Sequence, residues 1–247
     1  MAYLGQPRTL QELLREPPHS LEVQSYAPKE MNGAILNADG FGLAWYVEGH
    51  LEPARYRSVL PLWADENLPE LAPRLTTGCL LANARSATPG LGMGLANTPP
   101  FVRGRWTFSH NGYVRGFRER VMRPLRAALS DAAYRGIRGG TDSEHLFAVF
   151  LDAVRDASPE DALQALVDRV RALAPDEESL LSVLVSDGTT IWALRHGIGG
   201  PAPSLYRSAE GADVFVASEP LFDGAWEPLP AGSIARFDGE LALREVA

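Results

Sequence analysis

The sequence has little cysteine: Cys79 is the one cysteine in 247 residues. This excludes an internal disulfide and any cysteine-rich metal site within these residues. The sequence also lacks an apolar run of about 18 residues, the length that a helix needs to cross a bilayer. No basic segment followed by an apolar one stands at the front, so no signal peptide is predicted. These absences favour a protein of the cytoplasm with no membrane partner.

An excess of basic residues is also missing. Lys and Arg number 23 against 31 Asp and Glu, which gives a formal net charge of −8. Nucleic-acid binding requires a basic face that neutralises phosphates, so the charge argues against that partner and favours a small-molecule substrate. The five histidines are scattered without a His-x-x-x-His pair, and we expect no metal and no other cofactor.

The composition is that of a globular protein, with 45% hydrophobic and 22% charged residues. At this length we expect one domain over residues 1–247. The capping-box pattern Thr9-x-x-Glu12 predicts a short early helix. Apolar residues at helical spacing predict two longer helices, one after Thr141 and one after Ser158.

Strand-like segments flank these two long helices. An order of strands, then helices, then strands indicates an α+β fold with helices packed on antiparallel sheet. A four-layer αββα sandwich fits this order, as do other α+β folds. Extended runs are predicted over 42–47, 79–85, 106–109 and 180–185, with turns at 48–50, 187–188 and 238–239.

Four polar motifs punctuate the predicted strands and helices. Each alone has an ordinary structural explanation, as a turn, a surface ion pair or a helix cap. Together, and in this order, they resemble the glutaminase domains of class II amidotransferases, which are N-terminal-nucleophile hydrolases. The motifs are Asn37-Ala-Asp-Gly-Phe-Gly42, Arg85-Ser-Ala-Thr-Pro89, Ser109-His-Asn-Gly112 and Gly140-Thr-Asp-Ser-Glu144.

The likeness covers nearly the whole chain and extends through Gln24–Pro28 and Ala217–Pro220. It is greatest to the stand-alone hydrolases of ergothioneine biosynthesis, which release glutamate from a γ-glutamyl small molecule, γ-glutamyl-hercynylcysteine sulfoxide. The resemblance therefore implies the αββα sandwich and a pocket for a γ-glutamyl group. It implies no cofactor and no partner synthase.

A γ-glutamyl group carries an α-carboxylate, an α-ammonium and a side-chain amide. The resemblance assigns Arg85 to the carboxylate, for which a guanidinium offers a bidentate fork. It assigns Asp142 to the ammonium, with helix capping as the alternative. Thr88 and His110 are counted with the substrate-binding residues, although a purely structural hydrogen-bonded role is equally open for His110.

Amide hydrolysis also needs donors for the oxyanion of the tetrahedral intermediate. The side-chain amide of Asn111 and the backbone N–H of Gly112 are predicted to form this oxyanion hole. Glycine at position 112 permits the backbone geometry that points its N–H inward.

The nucleophile of the family is an N-terminal cysteine whose own α-amino group accepts the thiol proton. Here the sequence begins Met1-Ala-Tyr-Leu-Gly5, and Met1 aligns with the leucine of the family's Cys-Arg-His-Leu. The nucleophile is thus absent from these 247 residues, and the chain as given is predicted to be inactive. Cys79 lies in an apolar run and is expected to be a packing residue.

Three hypotheses follow. The chain is a hydrolase whose start was assigned three residues too late, a non-catalytic relative that binds γ-glutamyl compounds, or a glutaminase subunit that delivers ammonia to a separate synthase. The leaving group and the oligomeric state are not predicted. Arg115, Arg118 and Arg120 are interpreted as solvated rather than as contacts for an acidic leaving group.

Overall fold

The structure, a computed structural model, describes residues 1–30, 35–87, 94–210, 213–238 and 241–246. This part of the chain forms thirteen strands and seven α-helices. The strands are β1 (Ala2–Thr9), β2 (Phe41–Trp45), β3 (Ala54–Ser58), β4 (Thr76–Ala84), β5 (Phe101–Arg103), β6 (Trp106–Val114), β7 (Ser179–Ser186), β8 (Ile191–Ile198), β9 (Tyr206–Glu210), β10 (Asp213–Ala217), β11 (Glu227–Pro228), β12 (Ser233–Phe237) and β13 (Leu241–Glu245). The helices are α1 (Leu10–Leu14), α2 (Leu21–Tyr26), α3 (Leu68–Leu71), α4 (Met122–Ala127), α5 (Asp131–Gly136), α6 (Asp142–Ala153) and α7 (Pro159–Leu173).

The strands form two antiparallel sheets. The first has seven strands in the order β11-β9-β10-β1-β4-β2-β3, and the second has six in the order β13-β12-β8-β7-β6-β5. β1 lies between β10 and β4 near the middle of the first sheet. β3 and β5 are edge strands, one in each sheet.

Apolar side chains divide between the two faces of each sheet, because successive strand residues point in opposite directions. In β1, Tyr3 belongs to the core shared with α1 and α2, whereas Ala2 faces the second sheet. In β7, Val183 belongs to the core shared with α6 and α7, whereas Leu184 faces the first sheet. The layers are therefore helix, sheet, sheet and helix, which confirms the predicted α+β class and αββα sandwich.

Local sequence signals explain the helix starts. The Thr9 hydroxyl accepts a hydrogen bond from the Glu12 N–H, and the Glu12 carboxylate accepts one from the Thr9 N–H, which confirms the capping box. Ser158 caps α7, where Pro159 takes the first helical position. At α6 only one of the two capping-box hydrogen bonds is present. Thr141 caps the helix, but the Glu144 carboxylate accepts from the N–H groups of Arg138 and Gly139 instead of the Thr141 N–H.

Two strand predictions need correction. The run predicted over 106–109 continues to Val114, because β6 pairs with β7 in unbroken register from Thr107↔Ser186 to Val114↔Ser179. The Ser-His-Asn-Gly motif consequently lies within a strand rather than at its tip. The second correction is β1, which the sequence did not predict as a strand. Gly5 and Pro7 interrupt the alternation of apolar and polar residues that marks a strand.

The hairpin of β2 and β3 and the turn at Asp187-Gly188 are confirmed. β12 and β13 pair as predicted around Asp238, while Gly239 lies outside the described residues. None of the helices in the described ranges combines the length and apolarity that a bilayer crossing requires.

Candidate active site

Arg85 follows the last residue of β4, and a backbone ladder holds it in place. Its N–H donates to Gly40 O at 2.8 Å, and its carbonyl accepts from the Asp39 N–H at 2.9 Å. The Asp39 carboxylate in turn accepts from the Ala87 N–H at 2.7 Å. The first two predicted motifs, around Asp39 and Arg85, therefore form one unit at the end of the first sheet.

The Arg85 side chain is 7% exposed. Its Nη1 lies 3.5 Å from the Asp39 carbonyl oxygen, and within the described ranges no carboxylate lies within hydrogen-bonding distance of its guanidinium. Burial lowers the pKa of Arg85, and the negative charges of Asp39 and Asp142 oppose that shift. The arrangement keeps a charged, incompletely bonded fork at this position, which suits an incoming carboxylate.

Asp142 is the first residue of α6 and joins that helix to β6. One carboxylate oxygen accepts from the Val114 N–H at 2.9 Å, and the other accepts from the Ser143 N–H at 2.7 Å. Thr141, not Asp142, is the N-cap, so the alternative that Asp142 caps the helix is not what the structure shows. Each carboxylate oxygen has further acceptor capacity for a ligand ammonium.

His110 points from β6 toward α6. Its Nδ1 lies 3.0 Å from Ser143 Oγ, and its Nε2 lies 2.9 Å from Leu180 O. Because a carbonyl can only accept, Nε2 carries a proton and donates to Leu180 O. The Ser143 hydroxyl at Nδ1 also donates to Asp142 Oδ1 at 3.2 Å, so it links His110 to Asp142. Both ring nitrogens are therefore engaged by the protein, and a substrate contact from His110 would displace one of these hydrogen bonds.

Asn111 and Gly112 follow His110 in β6 and lie on opposite faces of the strand. The Asn111 side chain is exposed. Gly112 has φ +142°, and a Cβ added there would lie 1.9 Å from Leu180 O. Only glycine fits this backbone, which gives the Ser-His-Asn-Gly motif a structural reason for its last residue.

Two contacts between the sheets show how β4 and β6 are aligned. Cys79 Sγ lies 3.3 Å from Ser186 Oγ, and Ser186 is the register partner of Thr107 in β6. Further along both strands, Asn83 Nδ2 donates to Ser109 Oγ at 3.2 Å. The two strands therefore run in the same direction across the gap between the sheets.

This alignment brings together, at one end of the sandwich, the residue predicted to bind the carboxylate and the residue predicted to bind the oxyanion. Arg85 and Asn111 are each two residues beyond the Asn83–Ser109 contact, and side chains two apart share a face. Both therefore face the space between the sheets at the same open end. The structure thus brings together Arg85, Asn111, Gly112 and Asp142, whereas Thr88 lies outside the described residues.

A buried cluster that we did not predict lies beside the loop carrying Asp39, where Asn37 Nδ2 donates to Gln24 O at 3.2 Å. The Glu219 carboxylate accepts from the Lys29 N–H at 2.9 Å and lies 2.7 Å from His19 Nε2. Gln24 donates to the carbonyls of His19 and Glu219. The segments Gln24–Pro28 and Ala217–Pro220, both part of the family resemblance, meet here. Their shared place in that resemblance was the signal that could have revealed Glu219.

The remaining residues considered in the sequence have structural or surface contacts. Cys79 is 3% exposed, and burial raises the pKa of its thiol to about 12, which confirms it as a packing residue. Arg115 lies 3.4 Å from Glu178, and Arg120 pairs with Glu177. Both arginines are exposed surface residues.

Comparison with known proteins agrees with this geometry. The family of class-II glutamine amidotransferases matches residues 10–198. Gamma-glutamyl-hercynylcysteine sulfoxide hydrolase from Mycobacterium tuberculosis is 34% identical over 231 residues, covering 93% of this chain and 88% of that protein. Its counterpart from Mycolicibacterium smegmatis is 33% identical, with 93% and 91% covered.

A solved structure gives the same result. The glutamine aminotransferase class-II domain protein from Silicibacter pomeroyi superposes with a TM-score of 0.77 at 30% identity, covering 100% of this chain and 98% of that one. The family and the names of the relatives point to amidohydrolase or glutamine amidotransferase activity. This chain belongs to the class-II glutamine amidotransferase family.

Proposed function

We propose that this protein is a γ-glutamyl amide hydrolase that releases glutamate from a γ-glutamyl small molecule. We further propose that the reaction uses a cysteine three residues ahead of Met1, so that the 247 residues alone are inactive. The observation that carries this proposal is the register of β1, which would lead an N-terminal extension directly to Arg85.

The register specifies the length of that extension. β1 pairs with β4 through Ala2↔Leu81, and the Met1 amine donates to Ala82 O at 2.7 Å. Continued in the same register, the third residue ahead of Met1 lies opposite Arg85. Ala2 faces the second sheet, so by alternation the third residue ahead also faces the space between the sheets. A cysteine there would share that space with Arg85 and Asn111.

The side chains divide the reaction between them. Arg85 would hold the α-carboxylate and Asp142 the α-ammonium, which places the γ-amide at the front of β1. The free α-amine of the cysteine, with an ordinary pKa of ~7.7–8.0, takes the thiol proton. The thiolate attacks the amide carbon, and the oxyanion accepts hydrogen bonds from Asn111 Nδ2 and the Gly112 N–H.

Collapse of this intermediate breaks the carbon–nitrogen bond and passes the proton to the leaving amine. The product is a thioester between the cysteine and the glutamyl group. Water then adds to the thioester carbon and gives a proton to the α-amine, again with the oxyanion in the Asn111–Gly112 site. Collapse breaks the carbon–sulfur bond, the proton returns to the cysteine sulfur, and glutamate leaves. Apart from the proposed leading cysteine and water, this sequence uses only residues of the chain and its substrate.

The relatives supply the proposed substrate. Two of them carry the name gamma-glutamyl-hercynylcysteine sulfoxide hydrolase. We propose the same compound for this protein, and hence a place in ergothioneine biosynthesis. A non-catalytic γ-glutamyl-binding protein and a glutaminase subunit are the competing proposals, and the experiment below separates them.

The test places Cys-Arg-His directly ahead of Met1, which is retained. A new initiator methionine ahead of the cysteine is removed, so that the cysteine becomes the first residue. We expect hydrolysis of the sulfoxide with release of glutamate, and a covalent glutamyl adduct on the cysteine by mass spectrometry. Two matched controls use the same chain with Ala-Arg-His, which removes the sulfur, and with Cys-His, which turns the cysteine toward the helical layer. Both should be inactive.

The other outcomes are equally informative. Glutamate binding by calorimetry without turnover in the Cys-Arg-His chain would refute hydrolysis and favour the binding protein. Ammonia release from glutamine, with the sulfoxide left intact, would favour the glutaminase subunit. Equal activity of the Cys-His chain would contradict the register argument.

A further inference from the structure

A second cavity lies along the open edge of the sandwich, apart from the candidate active site. It has a volume of about 660 Å³, within the usual size of small-molecule pockets. It is enclosed by the edge strands β3 and β5, by α5 and by one side of α6. Arg85, Asn111 and Asp142 are not among its lining residues.

The floor of this cavity is apolar. Phe101 of β5 and Phe147 of α6 are almost fully buried and stack with a centroid distance of 6.5 Å. Ala148 and Leu151 continue the same side of α6. This surface would accept an apolar or aromatic body.

Five arginines line the same cavity. Arg55 and Arg57 are two residues apart on β3 and so share a face. Arg103 comes from β5, Arg138 from the segment before α6 and Arg155 from the segment after it. This concentration of positive charge stands out in a chain whose formal net charge is −8.

The acidic residues of the cavity are engaged elsewhere. Glu144 accepts hydrogen bonds from the N–H groups of Arg138 and Gly139, at 2.8 and 2.5 Å. Asp152 accepts from the Ser130 N–H at 2.9 Å and from its hydroxyl at 2.5 Å. Asp152 Oδ1 also lies 3.9 Å from Arg155 Nη1, at the end of the cavity formed by α6. Neither carboxylate is hydrogen-bonded to the arginines of β3.

The arginines have mostly uncharged partners. Arg57 donates to the carbonyl of Leu95, and Arg103 donates to the carbonyl of Gly136 at 2.6 Å. Partial burial lowers the pKa of both Arg55 and Arg57, and for Arg55 the neighbouring charge of Arg57 adds to the shift. The negative charge of Glu144 opposes the shift of both groups without forming a hydrogen bond to either. Two like charges held together without a hydrogen-bonded carboxylate in the described ranges indicate a place for an anion.

We propose that this cavity binds a small organic anion with an apolar or aromatic body. The anionic group contacts Arg55 and Arg57, and the body lies on Phe101, Phe147 and Leu151. The ligand is either the leaving-group half of the substrate or a separate effector, and both share this chemistry. The leaving-group alternative rests on the proposed function, whereas the anion site itself does not.

The probe is 8-anilinonaphthalene-1-sulfonate, and its matched control is N-phenyl-1-naphthylamine, which has the same rings without the sulfonate. We expect the sulfonate to bind at one site with a fluorescence increase. The double variant Arg55→Gln/Arg57→Gln should weaken it about tenfold or more, because charge-assisted hydrogen bonds are lost. Arg74 is exposed in the turn between α3 and β4 and does not line the cavity, so Arg74→Gln should leave binding unchanged.

A second variant guards against misfolding as the cause. Ala132 is exposed at the rim on α5, and Ala132→Glu adds a negative charge without removing a contact. It should also weaken sulfonate binding, while circular dichroism remains that of the parent. Sulfonate affinity equal to that of the parent protein in both variants would overturn the proposal, as would equal affinity of the parent for the neutral amine and the sulfonate.

Competition identifies the source of the natural anion. In the inactive Ala-Arg-His chain, displacement of the probe by the γ-glutamyl sulfoxide but not by glutamate would support the site and assign it to the leaving group. Displacement by neither compound, with the arginine effect intact, would support the site and assign it to a separate effector. Both readouts are independent of catalytic turnover.

Discussion

Gly112 is the residue at which a side chain would do most damage to the site. An alanine Cβ would lie 1.9 Å from Leu180 O and 3.0 Å from His110 Nε2. We expect Gly112→Ala to destabilise the fold by roughly 1–3 kcal/mol and to abolish turnover of the Cys-Arg-His chain. Chemical denaturation and glutamate release measure the two effects.

Gly104 provides the matched control for that substitution. It also has a positive φ, +55°, but a Cβ there meets nothing within 4 Å. Gly104→Ala should cost only about 1 kcal/mol and leave activity intact. Retained activity in Gly112→Ala would contradict the assignment of the oxyanion hole.

Arg85→Lys tests the carboxylate site. Lysine keeps the charge but presents a single ammonium instead of a planar fork. We expect kcat/KM of the Cys-Arg-His chain to fall at least about tenfold, chiefly through KM, because a bidentate contact is lost. Arg74→Lys is the control, and unchanged kinetics in Arg85→Lys would refute the assignment.

His145 makes the stability of the protein depend on pH. It is fully buried, its Nδ1 donates to Thr141 O at 2.6 Å, and its Nε2 accepts from Arg126 Nε at 2.7 Å. Burial lowers its pKa from 6.5 to about 4, and the charge of Arg126 adds to this effect. Between pH 4 and pH 6.5, His145 is therefore neutral in the folded protein and protonated in the unfolded chain.

Stability from this group is complete above pH 6.5 and falls as the pH drops toward 4, by about 3 kcal/mol in all. Denaturation at pH 7.5 and 4.5 should show this loss in the parent protein but much less in His145→Gln. His50→Gln, at an exposed position, is the control. An equal loss in parent and His145→Gln would show that other groups carry the effect.

The candidate site residues stand in compact sequence motifs, whereas their surroundings leave no such pattern. Arg85, Asn111, Gly112 and Asp142 could be picked out together because the order of these motifs resembles that of a known family. Glu219 was not anticipated because its partners, Lys29 and His19, are about 190 to 200 residues away. A contact of that kind leaves no local pattern.

At the scale of single elements, β1 shows how sequence alternation can fail. Gly5 and Pro7 break the pattern, and the pairing with β4 shifts register between Leu4 and Arg8. The reason is the Asp213 carboxylate, which accepts from the Gln6 N–H at 2.8 Å and from Arg8. This irregularity depends on a residue that is distant in sequence, so β1 alone could not reveal it.

Gly5→Ala tests this element. A Cβ would lie 2.0 Å from Asp213 Oδ1 and 2.9 Å from its Cα, so the buried carboxylate would have to move. We expect a loss of roughly 1–3 kcal/mol in the free energy of unfolding. Gly49→Ala, in an open turn, is the control, and equal losses in both would refute the packing explanation.

β6 was predicted too short, because the strand continues beyond its run of apolar residues. Ser109, His110 and Asn111 are polar, yet backbone pairing with β7 continues through them. Two of these polar side chains have specific partners there: Ser109 contacts Asn83, and His110 contacts Ser143. Polar residues at a strand end and polar residues inside a functional strand look alike in sequence.

At the scale of the whole molecule, the two sheets are joined by a thin apolar layer. Leu81 and Val216 of the first sheet and Leu184 and Ala193 of the second are among its members. The prediction that residues 1–247 form one domain implies that this layer couples the sheets. We therefore expect one unfolding transition, seen alike by far-ultraviolet circular dichroism and tryptophan fluorescence.

Leu184→Ala tests the coupling. Truncation of this buried side chain should cost about 2–5 kcal/mol and shift the whole transition without splitting it. Leu60→Ala, at an exposed position, should change little. Two separated transitions would show that the sheets unfold independently.

The central position of β1 also has a practical consequence for protein production. An affinity tag fused directly ahead of Met1 would have to leave the sheet between β10 and β4, beside the end of β4 where Arg85 lies. Under the proposed mechanism, we expect preparations with such a tag to be inactive whatever their leading residues, because the tag would lie beside Arg85. Screens of this protein therefore belong with the tag at the carboxyl end, or with a leader that is cleaved to expose its first cysteine.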